Sequence, residues 1–347
     1  MLSAISLIAP SPKNGTAGPG KDFPVRLSAI AMPAAAMLRS STLFAVACLA
    51  VASGCARLPS TGVTPLKPAT LSELREYVLN HKADVDQFRL RGPFEVATHK
   101  DHELRLSATE RIDTDLYLSA PAEKAPLAIL LHGHDNSKED HAYQALHLAT
   151  WGIHSLAVQL PNNGPWVDNG RTLARIAALI HRRPDMIDSR IDVNKIILVG
   201  HSFGGAAVAI ALAEGAPAAG GILLDPAGTG KDLPKFLRRI GKPVMLLGAD
   251  ERVSPIRDRS SFYEYIRNGV AEVSITDASH EDAQFPLEPA PREPGSDSSA
   301  TEELQITFVS ALTSAAFSLA HTGNFDYAWT SFGDAIKNGR FFDALKK

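Results

Sequence analysis

The sequence contains very little cysteine: Cys48 and Cys55 are its two cysteines among 347 residues, and both lie near the N-terminus. The rest of the chain therefore has no disulfide framework, no thiolate nucleophile and no cysteine-based metal site. It also lacks an excess of positive charge, since 35 Lys and Arg residues face 38 Asp and Glu residues. This balance excludes a protein that binds nucleic acid through bulk positive charge.

The N-terminal region lacks an apolar segment long enough to span a membrane, since its apolar run, 43–52, has ten residues. As a helix it would extend about 15 Å, against about 30 Å for a hydrocarbon core. Arg39 precedes this run and Ser53-Gly54-Cys55 follows it. Charge, a short apolar core and small residues are the layout of a secretory signal. We therefore expect an exported protein.

The ending of this signal resembles that of bacterial lipoproteins, in which the cysteine is lipidated and becomes the first residue. The resemblance implies lipidation of Cys55 and a location in the bacterial periplasm or outer membrane. Lipoprotein signals prefer Leu three places before the cysteine, where this chain has Ala52. Ordinary secretion is the alternative. A lipid anchor would be the sole membrane contact of an otherwise soluble protein, which we expect to be a monomer.

The chain divides by composition into four parts. Residues 1–36 are predicted to be disordered or an over-extended start, 37–55 a signal, 56–69 a linker and 70–347 a single domain. In the domain, short apolar runs alternate with helical stretches, which predicts an α/β fold: a mostly parallel central sheet with helices on both faces. We expect strands at 94–107 and 111–118. Predicted helices include 71–80, 139–150, 168–182, 203–214, 256–268 and a last one at 304–320.

The strongest motif is Gly200-His201-Ser202-Phe203-Gly204, between a buried-strand pattern and an alanine-rich helix. Such a strand–turn–helix segment presents a serine hydroxyl at a helix N-terminus, with small residues allowing the tight bend. Ser202 is therefore the predicted nucleophile. A serine needs a base, and His280 follows the predicted strand 270–276 in the required chain order.

The residues leave the orienting acid open. Asp225 directly follows the strand after the nucleophile helix, whereas Asp250 and Glu251 follow the next strand. All three precede His280, and all lie at carboxyl ends of predicted strands, where α/β sites are built.

An oxyanion hole requires two N–H donors. We expect them from Phe203, directly after the nucleophile, and from His134, in the glycine turn after strand 127–131. A metal site is the alternative interpretation of the polar residues around this turn. Its candidate ligands are His132, His134, Asp135 and His141. The turn interpretation is preferred, and no metal is predicted.

Residues 120–320 resemble the α/β-hydrolase superfamily, and the segments 200–206 and 221–225 look like its branch of platelet-activating-factor acetylhydrolases and chlorophyllases. In that branch the acid follows the strand after the nucleophile helix, which favours Asp225. His132-Gly133 is similar to the superfamily's oxyanion signature and supports His134. Residues 226–242 are too few for the helical lid of many members. The resemblance thus implies an α/β-hydrolase fold without a large lid domain, and an open site rimmed by loops 162–166 and 286–303.

The implied activity is hydrolysis of carboxylic esters by a serine esterase, through a Ser-His-Asp triad and an acyl-enzyme intermediate, without a cofactor. The substrate would be a small-molecule or lipid-like ester, and no nucleic-acid partner is expected. Two alternatives stay open. One is an inactive binding protein with the same fold, since fold alone does not fix function. The other is the same triad used for amide cleavage or acyl transfer.

Overall fold

A computed structural model describes residues 70–287 and 298–347, without the side chains of 298–300. These residues fall in one compact unit. The predictions for 1–36, 37–55 and 56–69, including lipidation of Cys55, lie outside the described residues.

The centre of this unit is a sheet of nine strands in the order β1-β2-β4-β3-β5-β6-β7-β8-β9. The pairings among β4, β3, β5, β6, β7 and β8 are parallel, and β1, β2 and β9 are antiparallel to their neighbours. The strands are β1 (Val96–Arg105), β2 (Arg111–Ser119), β3 (Ala125–Leu131), β4 (His154–Val158), β5 (Ile191–His201), β6 (Gly220–Leu224), β7 (Val244–Gly248), β8 (Val270–Ile275) and β9 (Phe341–Lys346).

The α-helices of the described residues are α1 (Leu71–Asn80), α2 (Ala142–Thr150), α3 (Trp166–Arg182), α4 (Phe203–Ala213), α5 (Leu233–Leu237), α6 (Ser260–Tyr265), α7 (Ser298–Thr322), α8 (Asp326–Ser331) and α9 (Gly333–Lys337). Short 3-10 helices lie at Val85–Arg89, Lys138–His141, Pro184–Met186 and His280–Ala283. The predicted helix 71–80 is confirmed, and the Thr70 hydroxyl accepts a hydrogen bond from the Glu73 N–H at its start.

Helices cover both faces of the sheet because its central strands are apolar on both sides. Leu127, Ile129 and Leu131 of β3 pack into one core with residues of α3, α4, α5 and α6. The alternate residues Ala128 and Leu130 pack into the other core, with α2 and α7. The predicted fold class is therefore confirmed: a mostly parallel sheet between two helical layers.

The C-terminal region differs from the prediction in one respect. The helix predicted as the last one extends over Ser298–Thr322, and α8, α9 and the edge strand β9 follow it. By length and apolarity, Thr301–Thr322 could cross a membrane, but it is mostly buried against the sheet and is a core helix of this fold. Residues 226–242, which are predicted to be too few for a helical lid, contain the five-residue helix α5.

Candidate active site

Ser202 occupies the sharp turn between the end of β5 and the start of α4. Its backbone has φ 55° and ψ −127°, a conformation that residues other than glycine rarely adopt. Hydrogen bonds on both sides hold it there: the Ser202 N–H donates to the Leu224 carbonyl at 3.0 Å, and the Ser202 carbonyl accepts from the Ala227 N–H at 3.0 Å. The turn is thus fixed by β6 and the residues that follow it.

Close backbone approach explains the glycines around Ser202. A Cβ at Gly204 would lie 2.3 Å from the His132 carbonyl oxygen, and one at Gly200 would lie 2.3 Å from the Gly204 carbonyl oxygen. A Cβ at Gly133 would lie 2.8 Å from Ser202 Cβ. The loop after β3 therefore packs directly on the serine turn, which no side chain at these positions would permit.

His280 and Asp225 are in direct contact. Asp225 follows the last residue of β6, and His280 begins the 3-10 helix after β8. The two side chains meet with His280 Nδ1 2.6 Å from Asp225 Oδ2, so the ring N–H donates to the carboxylate. Asp225 is fully buried, whereas the His280 side chain is 15% exposed.

The environment of Asp225 favours its ionised form. Burial by itself would raise the pKa of this carboxyl. The hydrogen bond from His280 and the positive charge of Arg259 outweigh burial and hold the pKa below its ordinary value. The carboxylate can therefore orient the imidazole and stabilise a positive charge on it.

The sheet register brings Ser202 to this pair. His201 of β5 pairs with Leu224 of β6, so Ser202 and Asp225 follow at adjacent strand ends. His201 also contacts His280: its Nε2–H donates to the His280 carbonyl at 3.1 Å, and the ring centroids are 4.4 Å apart. Within the described residues no hydrogen bond joins the Ser202 hydroxyl to the His280 ring, and such contacts are often long before substrate binds.

The two other candidate acids have partners other than His280. The Asp250 carboxylate forms an ion pair with Arg252 at 2.6 Å, which lowers the pKa of Asp250 to about 2. Glu251 Oε1 lies 3.2 Å from Nε of Arg259 and is about half exposed. Among the described contacts, Asp225 alone of the three acids touches His280.

Both predicted oxyanion donors lie beside Ser202. Phe203 is the first residue of α4, and N–H groups in the first turn of a helix have no partner within the helix. His134 follows Gly133 in the loop packed on the serine, and its ring lies 6.0 Å from that of Phe203. No acceptor among the described residues takes the backbone N–H of His134. Both amides could donate to an oxygen of a bound substrate.

The four residues of the alternative metal site do not converge. His132 contacts the Gly133 and Leu160 carbonyls, the His141 ring contacts Gln144, and His134 lies 3.3 Å from Asp135. In the described parts of the chain, the one group with ligand-like spacing is a different set: Asp101, Asp115 and Glu139. The Lys138 ammonium contacts all three carboxylates and supplies their counter-charge.

A cavity of about 540 Å³ opens beside the proposed oxyanion donor Phe203. Trp166 and Phe203 stack at its wall with ring centroids 5.5 Å apart and planes at 15°. Val167, residues 228–230 and Arg257 also line it, together with part of the predicted rim loop 162–166. The second predicted rim loop, 286–303, is only partly described.

Sequence reasoning missed one residue of the site, Arg259. Its guanidinium is buried and lies 2.7 Å from Asp225 Oδ1. The local sequence, Arg257-Asp258-Arg259, has the composition of a solvated loop and carries no signal of this contact.

Two comparisons with known proteins bear on this arrangement. Residues 128–329 match a family model described as the alpha/beta hydrolase family. The match covers more than half of the chain and includes Ser202, Asp225 and His280. No curated protein matches the chain.

Proposed function

The chain belongs to the alpha/beta hydrolase family, and on this premise we propose that it is a serine hydrolase that cleaves carboxylic esters. One observation carries the proposal: the 2.6 Å contact of His280 with Asp225, beside a serine held at φ 55° between strand and helix. An imidazole oriented by a buried carboxylate is the base that a serine hydroxyl needs.

The proposed reaction begins when Ser202 Oγ attacks the ester carbonyl carbon and His280 accepts the hydroxyl proton. Asp225 keeps the hydrogen bond to Nδ1 and stabilises the imidazolium. The N–H groups of Phe203 and His134 donate to the oxyanion. The tetrahedral intermediate then loses the alcohol, which takes the proton from His280. Water, deprotonated by His280, then attacks the carbonyl carbon of the acyl-enzyme. The second tetrahedral intermediate breaks down, which releases the acid, and His280 returns the proton to Ser202 Oγ.

We further propose a relationship to the branch of platelet-activating-factor acetylhydrolases and chlorophyllases. In that branch the acid directly follows the strand after the nucleophile helix. Asp225 has this position in the chain and contacts His280, which supports the relationship. The aromatic wall of Trp166 and Phe203 supports an apolar or lipid-like group on the substrate. We therefore propose a small-molecule ester as the substrate, and its hydrolysis by this triad uses no cofactor.

Labelling with a fluorophosphonate tests the nucleophile. Wild-type protein should incorporate one probe and hydrolyse p-nitrophenyl esters, whereas Ser202→Ala should do neither. The exposed serine of α6 supplies a matched control, and Ser260→Ala should behave as wild type. Undiminished esterase activity in Ser202→Ala would refute the mechanism. A wild-type protein that neither labels nor turns over any ester would favour the inactive binding protein.

The leaving group and acceptor distinguish the proposed esterase from related activities. p-Nitrophenyl esters of increasing acyl length should be cleaved with one preferred length, and the corresponding p-nitroanilides much more slowly. Added alcohols should not divert most of the acyl group. Faster anilide cleavage would assign the triad to amides, and dominant ester exchange would assign it to acyl transfer.

For location, we propose export and anchoring through a lipid on Cys55. The support is the signal-like composition of residues 37–55. In a bacterial host, the full chain should partition into detergent, and Cys55→Ala should abolish this while Cys48→Ala does not. Partitioning that survives Cys55→Ala contradicts the anchor.

A further inference from the structure

The guanidinium of Arg259 is enclosed behind the proposed acid. Arg259 directly precedes α6, and only 5% of its side chain is exposed. Its Nη1 donates to Asp225 Oδ1 at 2.7 Å and to the Ala249 carbonyl at 2.6 Å, and its Nη2 donates to Ser274 Oγ at 3.0 Å. The planar fork is therefore fixed at the ends of three neighbouring strands, β6, β7 and β8.

The two oxygens of Asp225 have separate partners. Oδ1 accepts from Arg259 and from the Ala249 N–H, the latter at 2.9 Å. Oδ2 accepts from His280 Nδ1. Rotation of the carboxylate away from His280 would break both hydrogen bonds to Oδ1 at once, one of them charge-assisted.

The backbone of β7 leaves space for this guanidinium. A Cβ at Gly248 would lie 2.8 Å from both Cζ and Nη1 of Arg259. On its Nε side, Arg259 lies 3.2 Å from Glu251 and 3.9 Å from Glu272, two further carboxylates. The buried cation thus has a glycine-lined slot, and its contact with Asp225 is the shortest of its three ion pairs.

We infer that Arg259 is a positioning residue for the proposed ester hydrolysis, and that it fixes the Asp225 carboxylate so that Oδ2 stays directed at His280 Nδ1. The inference rests on the proposed function. A buried ion pair that serves stability alone would leave turnover unchanged in the variants that remain folded. Kinetic coupling between Arg259 and Asp225 distinguishes the two roles.

The test is a double-mutant cycle on the full chain with a p-nitrophenyl ester. Arg259→Gln should lower kcat by roughly 10²-fold with little change in KM, because a misdirected carboxylate affects proton transfer more than binding. Asp225→Asn should lower kcat by on the order of 10³ to 10⁴-fold. In the Asp225→Asn background, Arg259→Gln should change kcat by less than about threefold, since residues acting as a unit are non-additive.

Arg190 provides the matched control. It forms an ion pair with Asp188 and donates to the Ser119 and Pro121 carbonyls, without contact to the site. Arg190→Gln should reduce thermal stability and leave kcat unchanged. Circular dichroism verifies that each variant is folded. If Arg259→Gln does not fold, the same cycle uses Arg259→Lys, which keeps the charge and loses the fork.

The outcomes separate this inference from the proposed function. Effects of Arg259 and Asp225 substitutions that multiply in full overturn the positioning role, as does a folded Arg259 variant with wild-type kcat. If Asp225→Asn itself retains wild-type kcat, the proposed triad fails and the role of Arg259 fails with it. Loss of kcat in Asp225→Asn, with non-additivity, supports both.

Discussion

Two residues of the candidate site, Ser202 and Asp225, have left-handed backbone conformations, with φ 55° and 38°. Such conformations cost on the order of 1–3 kcal/mol for residues with a Cβ. Each is held by a hydrogen bond to the neighbouring strand: the Ser202 N–H to Leu224, and the Asp225 N–H to Leu247. The parallel sheet therefore maintains the strain at the two positions that bear the proposed chemistry.

Gly204→Ala should damage both stability and activity. The added Cβ would lie 2.3 Å from the His132 carbonyl and 2.6 Å from the Leu131 carbonyl, which are backbone atoms that cannot rotate away. We expect the free energy of unfolding in urea to fall by roughly 3 kcal/mol and kcat by at least about 10²-fold, as the serine turn shifts.

The control for this substitution is Gly241→Ala, because a Cβ at Gly241 has no neighbour within 4 Å. Its free energy of unfolding should stay within about 0.5 kcal/mol of wild type. Wild-type esterase activity in Gly204→Ala would mean that the loop after β3 does not pack on the serine turn.

At the scale of elements, the part of the site around Ser202 could be predicted, because the serine motif lies between a local strand pattern and a local helix pattern. The apolar run before Gly200 and the alanines after Gly204 predict a strand and a helix around Ser202, and β5 and α4 lie there. Arg259 could not be predicted, because its contact with Asp225 joins residues 34 positions apart and the two residues before it, Arg257 and Asp258, are charged. Such pairings depend on the folded sheet and not on local sequence.

Strand β9 was unpredictable for a different reason. Its six residues have one buried side chain, Phe341, and the exposed positions do not alternate regularly with apolar ones. An edge strand with a half-exposed surface gives only a weak period-2 signal. The structure places it antiparallel to β8, where Phe341 pairs with Ile275.

Phe341→Ala should test whether the buried ring of β9 stabilises the edge of the sheet. The Phe341 ring is buried at 5.2 Å from the ring of Phe332, and the Thr276 N–H beyond β8 donates to the Arg340 carbonyl. Loss of the ring should lower the free energy of unfolding by about 3 kcal/mol. Leu345→Ala, on the same strand but 45% exposed, should change it by less than about 1 kcal/mol. Equal effects of the two substitutions would contradict the packing of β9.

At the scale of the whole molecule, buried histidines set the response to acid. Burial lowers the pKa of His141, His147 and His154 to about 4, and that of His321 to about 3. The ordinary pKa is about 6.5, so between these values the unfolded chain binds protons that the folded chain does not. Stability must therefore fall as the pH falls from about 6.5 towards 4.

Glu272 opposes this trend. Burial raises its pKa to about 7, so its folded form holds a proton that the unfolded chain has lost between about pH 4.5 and 7. Its contribution to stability therefore increases as the pH falls. Between pH 7.5 and pH 5, Glu272 raises the free energy of unfolding by about 2 kcal/mol, whereas each of the four histidines lowers it by about 2 kcal/mol. The histidines outweigh the single carboxyl.

The free energy of unfolding in urea should accordingly be lower at pH 5 than at pH 7.5 by several kcal/mol, a large part of the roughly 5–15 kcal/mol typical of a domain. His321→Leu removes one proton site from the unfolded chain, so it should reduce this difference by about 2 kcal/mol. His99 on β1 is exposed, and His99→Gln should leave the difference unchanged. Equal stability of the wild type at the two pH values would contradict this account. It would mean that these histidines bind protons as readily in the folded protein as in the unfolded chain.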